Sequence, residues 1–256
     1  MKKSNSLKLL ILLFMCFYAC KENDSVLEKI DRKAVVTRHN VKITAIDTLG
    51  SLTVGNGRFA FTVDATGLQT FPGFYEKGVP LGTQSEWGWH TSLNPENYQF
   101  SETLKAYDFN GKDGSLAKPE DIKNINQELN LWTGKIESNF TIEGTPVKVI
   151  TYGDSKNDAV AFKVESSLIS QKRIKVKFRF PYPTNEFADR GANYLNSNLH
   201  ETTVSELENN TVQFHRTLDD DTYFVTVTSS QKTELLKVED HYYTLLPTLG
   251  NIFEIS

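Results

Sequence analysis

Cysteine is nearly absent from this 256-residue chain. Its 2 Cys, Cys16 and Cys20, both lie in the first 20 residues, which excludes a disulfide framework and a thiolate metal site from all that follows. A basic surplus is absent as well. With 28 Lys and Arg against 32 Asp and Glu, the balance argues against a phosphate-neutralising surface and against nucleic acid as a partner. The 5 His, at positions 39, 90, 200, 215 and 241, show no HxH or HExxH spacing, so no metal is expected. There is no GxSxG, no P-loop and no candidate Cys nucleophile, and no cofactor is expected. Internal repeats, low-complexity tracts and long helical stripes are also missing. Two carboxylates flanking a cleft would suit glycoside hydrolysis, but nothing in the chain places such a pair, so no catalytic residue is assigned.

Aromatic residues, by contrast, are plentiful: 16 Phe, 10 Tyr and 3 Trp are enough to fill a core, which argues against disorder. From Ala34 onward apolar residues recur mostly at every second position. Examples are Val41–Ile46, Phe59–Val63, Lys135–Ile142, Val147–Tyr152, Ala159–Val164, Ile174–Phe180, Val212–His215, Tyr223–Thr228 and Asn251–Ile255. Side chains alternate across a strand, so each segment offers one apolar face to a partner sheet. Turn signals fall between them at Gly55-Asn-Gly57, Asn110-Gly111, Asp113-Gly114, Glu143-Gly144 and Gly153-Asp154. Asp219-Asp-Asp221 reads as a further hairpin turn rather than an acid cluster, and His215 as a structural residue of its strand. The spacing predicts an all-β fold, a large antiparallel β-sandwich with long loops and at most a short helix over Asp121–Leu129.

The N-terminus reads as a secretion signal. Lys2, Lys3 and Lys8 precede an apolar run from Leu9 to Ala19, about the length of a signal core and short for a bilayer span. Ala19-Cys20 then matches a lipoprotein signal in which Cys20 is lipidated, although Phe17 and Tyr18 are bulkier than usual there. With the polar Lys21-Glu-Asn-Asp24 behind it, the segment resembles the relaxed lipoprotein signals of the Bacteroidetes. An ordinary cleaved signal or an uncleaved anchor is the other account. The expected organisation is a signal peptide over 1–19, a polar tether over 20–33 and one β-sandwich domain over 34–256. The expected place is the outer membrane, on its periplasmic or cell-surface face, held through the lipid.

Two stretches invite a functional reading. The turn at Gly55-Asn56-Gly57, followed by Arg58, lacks GxGxxG spacing and leads into a strand. It is either a plain tight turn or one that lets backbone approach a ligand closely. Phe71 to His90 is aperiodic and holds two of the three Trp, as befits a long ordered loop. Sugar rings stack on aromatic faces while hydroxyls bond to side chains, so Gln84, Glu86, Trp87, Trp89 and His90 suit carbohydrate. Trp87 and Trp89 as core residues pinning the loop is the plain alternative.

Asp31–Asn40 and Ser51–Phe71, with Pro80-Leu-Gly-Thr-Gln-Ser-Glu-Trp-Gly-Trp-His90, resemble the N-terminal β-sandwich ("super-sandwich") domain of bacterial (α/α)6-barrel glycosidases related to glycoside hydrolase families 65 and 95. Leu131-Trp-Thr-Gly134, Phe180-Pro-Tyr182 and His200-Glu-Thr202 look like further family positions. The resemblance covers about residues 30–256. It implies a sandwich packed against a helical catalytic barrel, with Asn56, Arg58 and the Trp87–His90 loop facing the barrel or its cleft. The chemistry would lie on the barrel, which this chain lacks, as in a truncated or split gene product. The expected partners are therefore carbohydrate, a barrel supplied in cis or in trans, and a membrane reached by the lipid. A stand-alone carbohydrate-binding surface lipoprotein is the competing expectation. A sandwich that serves only as an interaction module is a third.

Overall fold

Burial alternates along the strands in the way the sequence predicts. In the computed structural model, which describes residues 29–85, 104–109, 116–182, 194 and 196–256, Ile136, Ser138, Phe140 and Ile142 turn inward. Lys135, Glu137, Asn139 and Thr141 between them turn outward. A short exposed helix, α1 (Arg32–Thr37), has the Asp31 carboxylate accepting from the Ala34 amide. From Val36 the chain forms one unit of antiparallel strands.

Six of them, β1 (Val41–Ile43), β6 (Ile122–Asn130), β7 (Lys135–Ile142), β8 (Thr145–Gly153), β9 (Val160–Glu165) and β16 (Ile252–Ile255), make a sheet in that order. A second sheet runs β14 (Thr233–Glu239), β15 (Tyr242–Pro247), β10 (Ile174–Arg179), β5 (Leu104–Phe109). Two three-stranded sheets complete the fold: β2 (Leu52–Gly55), β3 (Phe59–Val63) and β4 (Thr83–Ser85), and β11 (His200–Leu207), β12 (Thr211–Leu218) and β13 (Asp221–Thr228). One more short helix, α2, spans Pro72–Tyr75. The sheets share a single apolar core in a sandwich-like arrangement. Tilted ring pairs join them: Phe61 of β3 meets Phe162 of β9 at 5.1 Å, and Phe178 of β10 meets Phe214 of β12 at 5.2 Å. The fold is thus mostly β, antiparallel, with only short helices.

The helix expected over Asp121–Leu129 is instead strand β6. The reason is a bulge. Between Lys123 and Asn126 the register with β7 gains one residue, and Asn124 takes a left-handed φ of 54°. The extra residue spaces Ile122, Ile125 and Leu129 by three and four, which imitates a helical stripe. Other turns follow the sequence. Glu143 and Gly144 both take positive φ in the β7–β8 hairpin, as a two-residue turn requires, and Asp219 does so between β12 and β13. Gly55 and Gly153 mark a close approach of β2 and β8, where a Cβ on Gly153 would lie 2.8 Å from the Gly55 nitrogen.

A buried carboxylate organises the turn after β3. Asp64 is inaccessible to solvent, and its oxygens accept from the Thr66 amide and hydroxyl and from the Thr70 and Phe71 amides. Burial outweighs these donors and pushes its pKa up to about 6. Gln127 donates to the Asp64 carbonyl and to Ser138, and Thr151 donates to the Gly67 carbonyl, so the turn is bound to the six-stranded sheet.

Candidate functional site

The residues that the sequence singled out separate into two groups. Asn56 and Arg58 lie in the turn that joins β2 to β3, and Gln84 lies on β4 of the same sheet. Asn56 Oδ1 accepts from the Arg58 and Phe59 amides, its Nδ2 donates to the Asn157 carbonyl, and Gly57 takes φ 91°. These bonds make the turn a structural device in its own right. Gln84 is exposed on β4, opposite Ala60. Glu86, Trp87, Trp89, His90 and Cys20 lie outside the described residues.

A different constellation forms where the Phe180–Tyr182 and His200–Thr202 segments meet. Its centre is Arg216. In β12 the residues Val212, Phe214, Arg216 and Leu218 alternate inward, so strand geometry drives a guanidinium into the core. It is fully buried, with its Cζ 4.9 Å from the Phe180 ring centre. An unpaired buried cation costs several kcal/mol, yet neutral acceptors meet this one. Nη1 donates to the Glu201 carbonyl at 2.7 Å and to the Thr202 hydroxyl, and it lies 3.3 Å from His241 Nδ1. Nη2 donates to His200 Nδ1 at 2.5 Å. Nε is buried with no partner among the described residues. Burial lowers the Arg216 pKa from its ordinary value.

These bonds fix the proton on each imidazole, because a guanidinium only donates. His200 Nδ1 must accept, which leaves its proton on Nε2. The Thr202 hydroxyl accepts from Arg216 and so donates to His241 Nδ1, 2.7 Å away, and His241 Nε2–H donates to the Ser197 carbonyl at 2.7 Å. The two rings stack with centres 3.7 Å apart. Burial first, then Arg216 and His241, press the His200 pKa down to about 3. Burial also lowers that of His241. Both imidazoles are therefore neutral near pH 7.

The chain brings His241 here through β10–β15 pairing. His241 takes a left-handed φ of 59° just before β15, and its carbonyl accepts from the Phe180 amide at 3.0 Å. Beside the pair opens a cavity of about 230 Å³ lined by Arg179, Tyr194, His200, Glu239, Asp240 and His241, among others. The Arg179 guanidinium carbon lies over the Tyr194 ring, 3.9 Å from its centre, and Tyr182 donates to Asp219 at 2.9 Å with its ring 5.5 Å from His200. Sequence reasoning reached Phe180, Tyr182, His200 and Thr202 only by resemblance. It passed over Arg216 and His241, although Arg216 continues the period of Val212 and Phe214.

No family model matches the chain, and no curated protein matches its sequence. Solved structures do share its fold. One, described as "Putative kojibiose phosphorylase from human microbiome", superposes with a TM-score of 0.55 over 84% of this chain at 10% identity. The chain spans 31% of that protein's length. At this identity the likeness is one of fold, and it identifies the β architecture described above as one that also occurs within a larger protein.

Proposed function

We propose that residues 34–256 are the non-catalytic β-sandwich module of a glycoside hydrolase- or phosphorylase-like protein, which supports or shapes a carbohydrate site on a helical barrel. The carrying observation is the shared fold with a much longer protein named as a kojibiose phosphorylase, of which this chain spans 31%. Resemblance of the Ser51–His90 block to (α/α)6-barrel glycosidases points the same way. In this reading the catalytic carboxylates belong to the barrel, and the chain alone cleaves no glycoside. Glu86, Trp87, Trp89 and His90 would face the barrel or its cleft. Sequencing the DNA that follows codon 256 tests the reading. A frame encoding a helical barrel, continuous or split, is expected, and an unrelated gene there contradicts it.

The same proposal places the protein on the outer membrane through a lipid on Cys20, with residues 21–33 as the tether. The apolar Leu9–Ala19 run directly before Cys20 supports this. Labelling with a radioactive fatty acid should mark the wild-type chain and spare Cys20→Ala, whereas equal labelling of the two would remove the anchor from the account.

A further inference from the structure

The charged residues that line the cavity beside His200 and His241 are each paired, Asp240 with Lys237, which stands outside the lining. Arg179 lies 3.9 Å from Glu239, and Lys237 lies 2.7 Å from Asp240. Both histidines are neutral. A charged ligand would enter without a counter-charge of its own, and cations and anions alike would meet a group of their own sign. The lining nevertheless offers bonds of both kinds. His200 Nε2–H is a donor with no partner among the described residues, since Arg216 engages only its Nδ1. Arg179 adds N–H groups, and Glu239 and Asp240 bring carboxylates that accept. A hydroxyl is the smallest neutral group that both donates and accepts. Tyr194 adds an aromatic ring to the lining, with the Arg179 guanidinium over one face.

Size narrows the choice. A volume of about 230 Å³ falls below the roughly 300 Å³ at which pockets for drug-sized ligands begin, so a single ring is the limit. We infer that this cavity is a binding site for one uncharged polyhydroxyl ring, a monosaccharide unit or a cyclic polyol, oriented by His200 Nε2–H and the Asp240 carboxylate. Arg216 is a positioning residue. It does not line the cavity, but by donating to His200 Nδ1 it holds the imidazole neutral with its remaining proton turned outward. The residues that line the site belong to the sandwich itself, so it needs no barrel.

The test uses the full chain, titrated by calorimetry and by ligand-observed saturation-transfer NMR. The probes are glucose, galactose, mannose and myo-inositol, with glucuronate and glucosamine as charged counterparts. A reducing-end methyl glycoside and a disaccharide distinguish a free sugar from the end unit of a glycan. Binding of at least one neutral ring is expected, with each charged analogue weaker by about tenfold or more. The variant His200→Asn keeps an acceptor for Arg216 but withdraws the donor at the Nε2 position. It should weaken binding about tenfold, the scale of one lost hydrogen bond. Asp240→Ala, on an exposed turn where folding is not at stake, should do the same. The inference is overturned if no neutral ring binds, if a charged analogue binds tighter, or if affinity survives both His200→Asn and Asp240→Ala. Such a failure leaves the module proposal standing, since that rests on the downstream frame.

Discussion

Asp64 and Arg216 are both sealed from solvent, and each is met by groups of the complementary kind, but the two networks end differently. Around Asp64 four donors converge on the carboxylate, and the turn they define is bound by Gln127 and Thr151 to the six-stranded sheet. All four donors are spent on the carboxylate, so the network around the charge itself is closed, although Gln127 Oε1 beside it is buried with no partner among the described residues. Around Arg216 the acceptors are two imidazoles, a hydroxyl and a carbonyl. One of those imidazoles, His200, borders a cavity with its second nitrogen unengaged by any described residue. A buried charge whose partners are used up is a fold device. One whose partners pass a bonding group onward to an open space prepares a site. The difference lies in where the last proton points, not in depth of burial.

The largest expected effect is at the closed network. Asp64→Ala strands three buried amides and leaves the Thr66 hydroxyl only the Thr70 hydroxyl as partner, and unsatisfied buried groups cost about 1–3 kcal/mol each before relaxation. We expect a loss of about 4 kcal/mol in urea unfolding. Arg216→Met should cost less, about 2 kcal/mol, because it abandons several acceptors but also removes a buried cation. A larger loss for Arg216→Met than for Asp64→Ala would break the comparison.

A subtler contrast is in pH. The Asp64 pKa is raised from 3.8 to about 6 in the fold, so between those values the folded state binds more protons than the unfolded chain. Its contribution is full below pH 3.8 and fades as pH rises through about 6. The His200 pKa is lowered from 6.5 to about 3, so the unfolded chain binds more protons there. Its contribution is full above pH 6.5 and fades as pH falls towards 3. The two networks therefore tilt the stability profile in opposite senses. Relative to wild type, Asp64→Asn should make stability rise more steeply with pH between about 4 and 6, and His200→Asn should make it rise less. Denaturation midpoints of the three proteins at a series of pH values check both signs.

Legibility in the sequence followed local regularity. Phe59–Val63 and Lys135–Ile142 are strands with the bounds that strict alternation gives them. The β6 segment misled because a bulge at Asn124 broke its period. β11 and β14 lacked a signal because most of their residues stay accessible on both faces, leaving no apolar stripe to read. In the site, Arg216 was readable in principle as a charged residue at an inward position of β12. His241 was not. It meets His200 only because β10 pairs with β15 and β11 with β12, and no spacing along the chain encodes that meeting.

Histidine ring nitrogens report directly on whether Arg216 sets up the cavity. Two-bond ¹⁵N–¹H correlation spectra of the full chain, recorded between about pH 5 and 8 where an ordinary histidine titrates, separate the tautomers and the imidazolium. The account predicts that His200 and His241 are neutral with the proton on Nε2 across that range. A His200 proton on Nδ1, or conversion to imidazolium near pH 6.5, would contradict it.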